Sequence, residues 1–143
     1  MRTQDGSEQT AARVSRVAVT QEAESLLHKL AAMHGPLVFH QSGGCCDGSS
    51  PMCFPRNEFR IGQRDVYLGT IADVPFYIGG EQYEYWKHTQ LTIDVVPGRG
   101  SGFSVESPEG VRFLTRSRLY SDEESAALET EGPAPRGEQN RAP

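Results

Sequence analysis

Long hydrophobic runs, an excess of basic residues and scattered cysteines are all missing from this 143-residue sequence. No stretch is apolar for long enough to span a bilayer, and the start lacks an apolar core of signal-peptide length. Lys and Arg number 14 against 19 Asp and Glu, for a net charge of -5, whereas nucleic-acid-binding proteins carry a basic surface. We therefore expect a cytoplasmic protein that binds neither membranes nor nucleic acids.

Both ends of the sequence are polar, and this composition sets the expected domain boundaries. The last 23 residues are rich in Glu, Pro, Ala and Gly, and they contain too little apolar surface to offset the entropy lost on ordering. We predict a flexible N-terminal tail over residues 1–16, one folded domain over residues 17–120 and a disordered C-terminal tail over residues 121–143.

One amphipathic helix is predicted near the start of the domain, from about Thr20 to His34. Thr20 is a suitable N-cap, and Gly35-Pro36 ends the pattern. Apolar residues recur at helical spacing on one face: Ala23, Leu26, Leu27 and Leu30.

After the helix, the apolar pattern changes to a period of two, which predicts short strands separated by turn residues. These strands are "PLVFHQ", "EFRI", "DVYLGTI", "VPFYI", "YEYWKH", "QLTIDVV", "GFSVES" and "VRFLTRSRL". Asp65 and Asp73 are interpreted as turn residues, and Glu106 as a solvent-facing or turn-stabilising residue. The predicted fold class is α+β with mostly antiparallel sheets, against which the single N-terminal helix packs.

All three cysteines lie between Phe39 and Arg56, in "FHQSGGCCDGSSPMCFPR". Glycines before and after Cys45 and Cys46 allow the chain to turn, and Pro51 redirects it so that Cys53 can return. Thiolates are soft ligands that suit zinc, iron–sulfur clusters and Cu(I). The loop therefore predicts a transition-metal site, zinc or iron, with His40 or His88 as the remaining ligand.

The same loop is consistent with two other kinds of role. A cysteine among backbone N–H groups, with His40 or His88 as base, would be the nucleophile of an enzyme acting on small carbonyl compounds. Alternatively, the cysteines only pack, and the protein is a non-catalytic interaction module. In "YEYWKH", Tyr83 and Tyr85 near His88 indicate either a small-molecule pocket or part of the core.

Two stretches, "SGGCCDGSSPMC" (42–53) and residues 84–120, resemble the bacterial domain-of-unknown-function family 779. Genes of that family often lie beside those of aldehyde dehydrogenases. The resemblance implies an accessory role in aldehyde or alcohol oxidation, with an aldehyde dehydrogenase as partner.

The order of elements also resembles the HesB-like A-type iron–sulfur carriers. The shared features are a capped helix over residues 17–30, a strand leading into "GGC" and a later "GSGFSVESP". The resemblance implies HesB-like packed sheets and a homodimer, and it places Cys45 at the carriers' first cluster-binding cysteine. The carriers' two C-terminal cysteines are replaced here by "LTRSRLYSDEE", so Cys46 and Cys53 would take their place. A site of that kind favours one bound metal ion over a carried cluster.

Overall fold

The computed structural model describes residues 14–41, 50–98 and 104–137. These residues form an α+β fold with two mixed sheets and three helices. The strands are β1 (Val17–Val19), β2 (Leu37–Gln41), β3 (Met52–Pro55), β4 (Val66–Ile71), β5 (Val74–Ile78), β6 (Thr89–Pro97) and β7 (Val111–Leu119). The helices are α1 (Gln21–His34), α2 (Gly80–Trp86) and α3 (Asp122–Glu131).

Helix α1 confirms the amphipathic pattern of the sequence. The Thr20 side chain accepts a hydrogen bond from the Ala23 backbone N–H at 3.2 Å, and Gly35 ends the helix at φ 84°. A glycine suits that position because a left-handed backbone strains residues with a side chain. Leu27 and Leu30 are fully buried on the predicted face. Strand β1, which the sequence patterns do not predict, precedes the helix.

Both sheets are mixed, and among the described strands three pairings are antiparallel and two are parallel. One sheet has the order β1-β6-β7, and the other has the order β3-β2-β5-β4. Strands β1 and β6 are parallel, as are β2 and β5. Tight turns join only antiparallel neighbours, whereas β5 reaches the side of β2 after the chain has passed through β3 and β4.

Aromatic side chains join the two sheets in one hydrophobic core. The ring of Phe39 on β2 lies 5.4 Å from that of Phe76 on β5 and 5.0 Å from that of Phe113 on β7. All three residues are fully buried, and Leu27 and Leu30 of α1 belong to the same cluster. The helix therefore completes the core between the sheets, as expected for a layered α+β domain.

Three predicted strands have other structures. "YEYWKH" lies mostly in helix α2, where Tyr83 and Trp86, three residues apart, both face the core. In place of "EFRI", a 3₁₀ turn over Arg56–Glu58 leads into Phe59, whose ring stacks on Phe54 at 4.8 Å. The predicted strand "GFSVES" is described from residue 104 onward, where the chain forms a turn followed by a 3₁₀ helix over Ser107–Glu109. Short aromatic segments fit either period, and tertiary packing decides between them.

The C-terminal segment also differs from the prediction, because residues 121–137 are structured. Helix α3 begins with a capping box, in which Ser121 Oγ accepts from Glu124 N at 3.1 Å and Glu124 Oε1 accepts from Ser121 N at 2.9 Å. The chain then returns to the outer edge of β4, where Tyr67 N donates to Pro135 O at 2.8 Å. This pairing covers an edge strand and so stabilises the C-terminal segment. A prediction from composition alone does not include that stabilisation.

Replacement of Ser121 with Ala removes the N-cap and should reduce the free energy of opening of α3 by about 1 kcal/mol. Hydrogen exchange of the amides over residues 122–132 measures this change directly. Ser125→Ala, within the same helix, is the matched control and should leave exchange nearly unchanged. Equal protection in Ser121→Ala and wild type would show that the cap does not stabilise α3.

Candidate functional site

The structure locates three of the five predicted metal ligands. Cys45 and Cys46 lie within residues 42–49, outside the described residues. Cys53 is on β3, His40 is on β2, and His88 lies between α2 and β6.

The register of β2 and β3 separates Cys53 from His40. Phe39 is opposite Cys53, and His40 is opposite Met52. Side chains of successive strand residues point to opposite faces of a sheet, whereas directly paired residues share a face. Cys53 therefore points into the core beside Phe39, and His40 points away from it. This arrangement corrects the expectation that the two residues contribute to one metal centre.

Cys53 is fully buried in the hydrophobic core. Its backbone N–H donates to Ser104 Oγ at 2.8 Å, and its carbonyl accepts from Val105 N at 2.9 Å. Burial, together with the nearby Glu106, raises the pKa of the Cys53 thiol far above its usual range. Because the thiolate is the nucleophilic and metal-binding form, this burial favours a packing role for Cys53.

A buried polar cluster surrounds Cys53 and includes a carboxyl group. Glu106 is 1% exposed, so the solvent-facing interpretation of this residue is wrong. Its Oε2 accepts from Phe113 N at 3.3 Å, and its Oε1 accepts from the Ser104 hydroxyl. Burial raises the pKa of Glu106, although these hydrogen bonds oppose the increase. Nearby, Thr115 donates to the side-chain carbonyl of Gln41 at 2.9 Å.

His40 lies in a cleft on the other side of β2, and two contacts hold its ring. Its Nε2 is 2.9 Å from Asp65 Oδ1, and its ring centroid is 5.0 Å from that of Phe59. The other carboxylate oxygen, Asp65 Oδ2, accepts from Gly62 N at 2.8 Å. Because a carboxylate only accepts, Nε2 is the protonated nitrogen and Nδ1 is the one with a lone pair when the ring is neutral.

The cleft around His40 has a volume of about 740 Å³ and a charged lining. Arg64, Glu81, Glu84 and Arg136 line it together with Asp65. Gly80 forms part of the wall, where a Cβ atom would lie 2.6 Å from the Arg64 carbonyl oxygen. Only glycine fits this close approach without displacing the backbone.

The sequence patterns do not reveal that Asp65 contacts His40 in this cleft. They place it only in a turn, 25 residues from His40. The sheet brings the two together, because His40 pairs with Tyr77 and Tyr77 pairs with Tyr67. Asp65 precedes Tyr67 by two residues and therefore lies on the same face. No local motif contains this relationship.

His88 belongs to a different part of the surface. It is exposed, its backbone carbonyl accepts from Tyr120 N at 3.1 Å, and it lines a separate cavity of about 330 Å³. Within residues 14–41, 50–98 and 104–137, no three His, Cys, Asp or Glu side chains are grouped closely enough to hold a metal ion.

Because Glu106 is buried and its pKa is raised, the free energy of unfolding should depend on pH through this residue. The folded state holds the Glu106 proton more tightly than the unfolded chain does. The resulting stabilisation is complete below the unfolded pKa of about 4.3 and is lost as the pH rises through the raised folded pKa. Glu106→Gln keeps a hydrogen-bonding side chain without the ionisation. Its free energy of unfolding in urea should therefore fall less between about pH 5 and about pH 8 than that of wild type.

The control for this measurement is Glu109→Gln, at a partly exposed carboxylate that pairs with Lys29 at 2.9 Å. This variant should retain the wild-type decline. A Glu106→Gln profile parallel to that of wild type would show that Glu106 does not titrate in the folded state over this range.

Comparison with known proteins identifies a family but no characterised relative. In the part of the chain that the structure describes, no helix has the length and apolar character needed to cross a membrane. No curated protein matches the sequence significantly. Residues 26–119 match the family described as a domain of unknown function, DUF779, and this range contains α1 from Leu26 onward and the strands β2–β7. The chain therefore belongs to the DUF779 family.

Proposed function

We propose that this protein binds one transition-metal ion, zinc or iron, through Cys45, Cys46 and His40. In this proposal it is a cytoplasmic accessory protein of aldehyde or alcohol oxidation, with an aldehyde dehydrogenase as partner. The observation that carries the proposal is the hydrogen bond between His40 and Asp65 in an open cleft.

The pairing of His40 with a carboxylate is the arrangement that metal-ligating histidines usually have. A carboxylate that accepts from one ring nitrogen fixes the tautomer and increases the basicity of the other nitrogen. Here Asp65 occupies Nε2, so Nδ1 is the ligand atom. The ring is held from two sides, by Asp65 and by Phe59, and little entropy would be lost on coordination.

The position of His40 in the chain also supports this ligand set. Only four residues separate it from Cys45, so their Cα atoms lie at most about 18 Å apart. Two thiolates and one imidazole match the soft and borderline ligands that zinc and iron take, and a fourth position is left for solvent or a partner. Cys53 is not included because it is protonated in the core, and His88 is not included because it lines another cavity.

The resemblance to the HesB-like carriers is consistent with the proposal but is not required by it. It places a metal-binding cysteine at Cys45, and it favours HesB-like sheets and a homodimer. The sheet orders β1-β6-β7 and β3-β2-β5-β4 are the features to compare with a carrier structure. The chain has three cysteines in total, so the carriers' C-terminal cysteine ligands have no counterpart.

The metal content of untagged protein tests the proposal. We expect close to one equivalent of zinc or iron in wild type and a loss of nearly all of it in the Cys45→Ser/Cys46→Ser double variant. Asp65→Asn should weaken metal affinity by about tenfold to a hundredfold, because the amide orients His40 less well. Cys53→Ala and His88→Gln are the matched controls and should retain wild-type metal content.

Two results would contradict the metal proposal. One is a metal content below about a tenth of an equivalent after anaerobic reconstitution, since a structural or catalytic site binds far more tightly. The other is full metal content in the double cysteine variant.

A second candidate function is favoured by the same cleft. A histidine oriented by a carboxylate is also the arrangement of a general base, and the cleft has room for a small substrate. In this case, one loop cysteine is the nucleophile of an enzyme that acts on small carbonyl compounds. The burial of Cys53 favours the third role, structural packing, for that cysteine alone.

Alkylation kinetics at about pH 6 separate the two candidates. A nucleophile activated by His40 should react rapidly at one of the two loop cysteines, and His40→Gln should slow it by about tenfold or more. If Cys45 and Cys46 instead bind a metal, added zinc should protect both of them from alkylation. Cys53 should react slowly in the native protein in either case. Slow, equal labelling of all three thiols without zinc protection would remove both functions.

A further inference from the structure

A second cavity, distant in sequence from the cysteine segment, has the chemistry of a ligand site. Its volume is about 330 Å³, which is within the usual range for small-molecule pockets. Helix α3 and the segment after it form one wall, and the residues around the end of α2 form the other. The side chains important for recognition are Arg16, Tyr83, Lys87, His88, Tyr120 and Leu128.

Charged side chains of both signs line this cavity, and Arg16 is the cation most closely tied to its wall. Arg16 and Lys87 line it together with one carboxylate, Glu129, and Lys87 also pairs with Glu84 at 2.9 Å. One terminal nitrogen of Arg16 donates to the Gly132 carbonyl at 3.0 Å, which holds the guanidinium at the cavity wall. A guanidinium has five N–H donors, so this contact leaves others for a bound anion.

Tyr120 adds a neutral hydrogen-bond donor. Its side chain is half-buried, and burial raises its pKa to about 12, although Arg16 opposes the increase. The phenol therefore stays protonated at neutral pH. Among the described residues, no hydrogen-bond acceptor contacts the Tyr120 hydroxyl, which leaves it available to a ligand.

The indole of Trp86 lies next to this cavity and has an unused donor. A small adjoining cavity is lined by Trp86 together with Arg16, Tyr83 and Tyr120, which also line the larger one. Trp86 is 5% exposed, and its Nε1 is buried without an acceptor among the described residues. Because Trp86 lines the adjoining cavity, its indole N–H can report on ligand binding in this region.

The remaining lining is apolar and would contact the body of a ligand. Leu128 and Pro133 contribute aliphatic surface, and the ring of Tyr83 contributes an aromatic face. An inorganic anion would use the basic groups but would leave this surface unused. A neutral aromatic compound would use the apolar surface but would leave the donors unpaired.

We propose that this cavity binds a small organic carboxylate, an aromatic or short-chain aliphatic acid. The carboxylate is held by Arg16 and the Tyr120 hydroxyl, and the hydrocarbon part packs against Tyr83 and Leu128. Hydrogen bonds from charged or protonated donors fix the orientation, while apolar contacts select organic acids over inorganic anions.

Titration of the full-length protein with benzoate tests the proposal, with the indole N–H signal of Trp86 in a two-dimensional NMR spectrum as reporter. The sequence has one tryptophan, so the signal is unique. Benzoate should bind at least about tenfold more tightly than benzyl alcohol or inorganic phosphate. Tyr120→Phe, which keeps the ring, should weaken benzoate binding by about tenfold. Arg16→Gln should weaken it by at least as much.

The charge-matched control is Arg60→Gln, at an exposed site between β3 and β4, and it should bind benzoate as wild type does. Arg16→Gln also removes a hydrogen bond to Gly132 and could therefore weaken binding by destabilising the fold. Tyr120→Phe should leave the thermal midpoint of unfolding unchanged, so a loss of benzoate binding in that variant reports on the site itself. Equal affinities for benzoate and benzyl alcohol would overturn the proposal. So would equal affinities for benzoate and phosphate, or benzoate binding that neither Tyr120→Phe nor Arg16→Gln weakens.

Discussion

The alternation of side chains along β2 is the constraint on which the arrangement of this molecule depends. Because β2 pairs on both sides, with β3 and with β5, its register is fixed by two partners. A shift by one residue would move Phe39 out of the core and His40 into it. The burial of Phe39 against Phe76 and Phe113 therefore also determines that His40 faces the cleft. The hydrophobic core and the candidate site are two faces of the same strand.

The C-terminal segment gives the domain its second organising feature. Helix α3 forms a wall of the cavity lined by Arg16 and Tyr120, and the residues after it pair with the edge of β4. Arg136 in the same segment lines the His40 cleft and forms a β-bridge with Val66. One stretch of chain thus protects a sheet edge and contributes to both cavities. Its content of Glu, Pro and Gly, which resembles that of disordered regions, does not prevent this.

Sequence patterns predicted the elements in which local and tertiary preferences agree. Helix α1 has its cap, its apolar face and its terminating glycine in the sequence, and β2, β4, β5, β6 and β7 each coincide with a strand predicted from the sequence. Helix α2 was not predicted, because an aromatic-rich segment of seven residues fits either period. Strand β3 was not predicted, because prolines at both ends of "PMCFP" made it resemble a loop.

The candidate sites were harder to predict, because they depend on pairings between distant strands. His40 was identified from its residue type, but its partner Asp65 was brought near only by the order β2-β5-β4. Cys53 was grouped with the other cysteines by proximity in sequence, and the β2–β3 register placed it on the opposite face from His40. Glu106 has no distinguishing pattern, since a buried carboxyl is recognised only from what surrounds it.

The family match over residues 26–119 divides the molecule in a way that matters for comparison among its members. His40, Asp65 and all three cysteines lie inside the matched range, whereas Arg16, Tyr120 and α3 lie outside it. A chimera that exchanges the segments flanking this range between two members would transplant much of the lining of the cavity formed by Arg16 and Tyr120, and would leave the three cysteines and His40 in place. The boundary of the matched range is thus also a natural splice point between the two candidate sites.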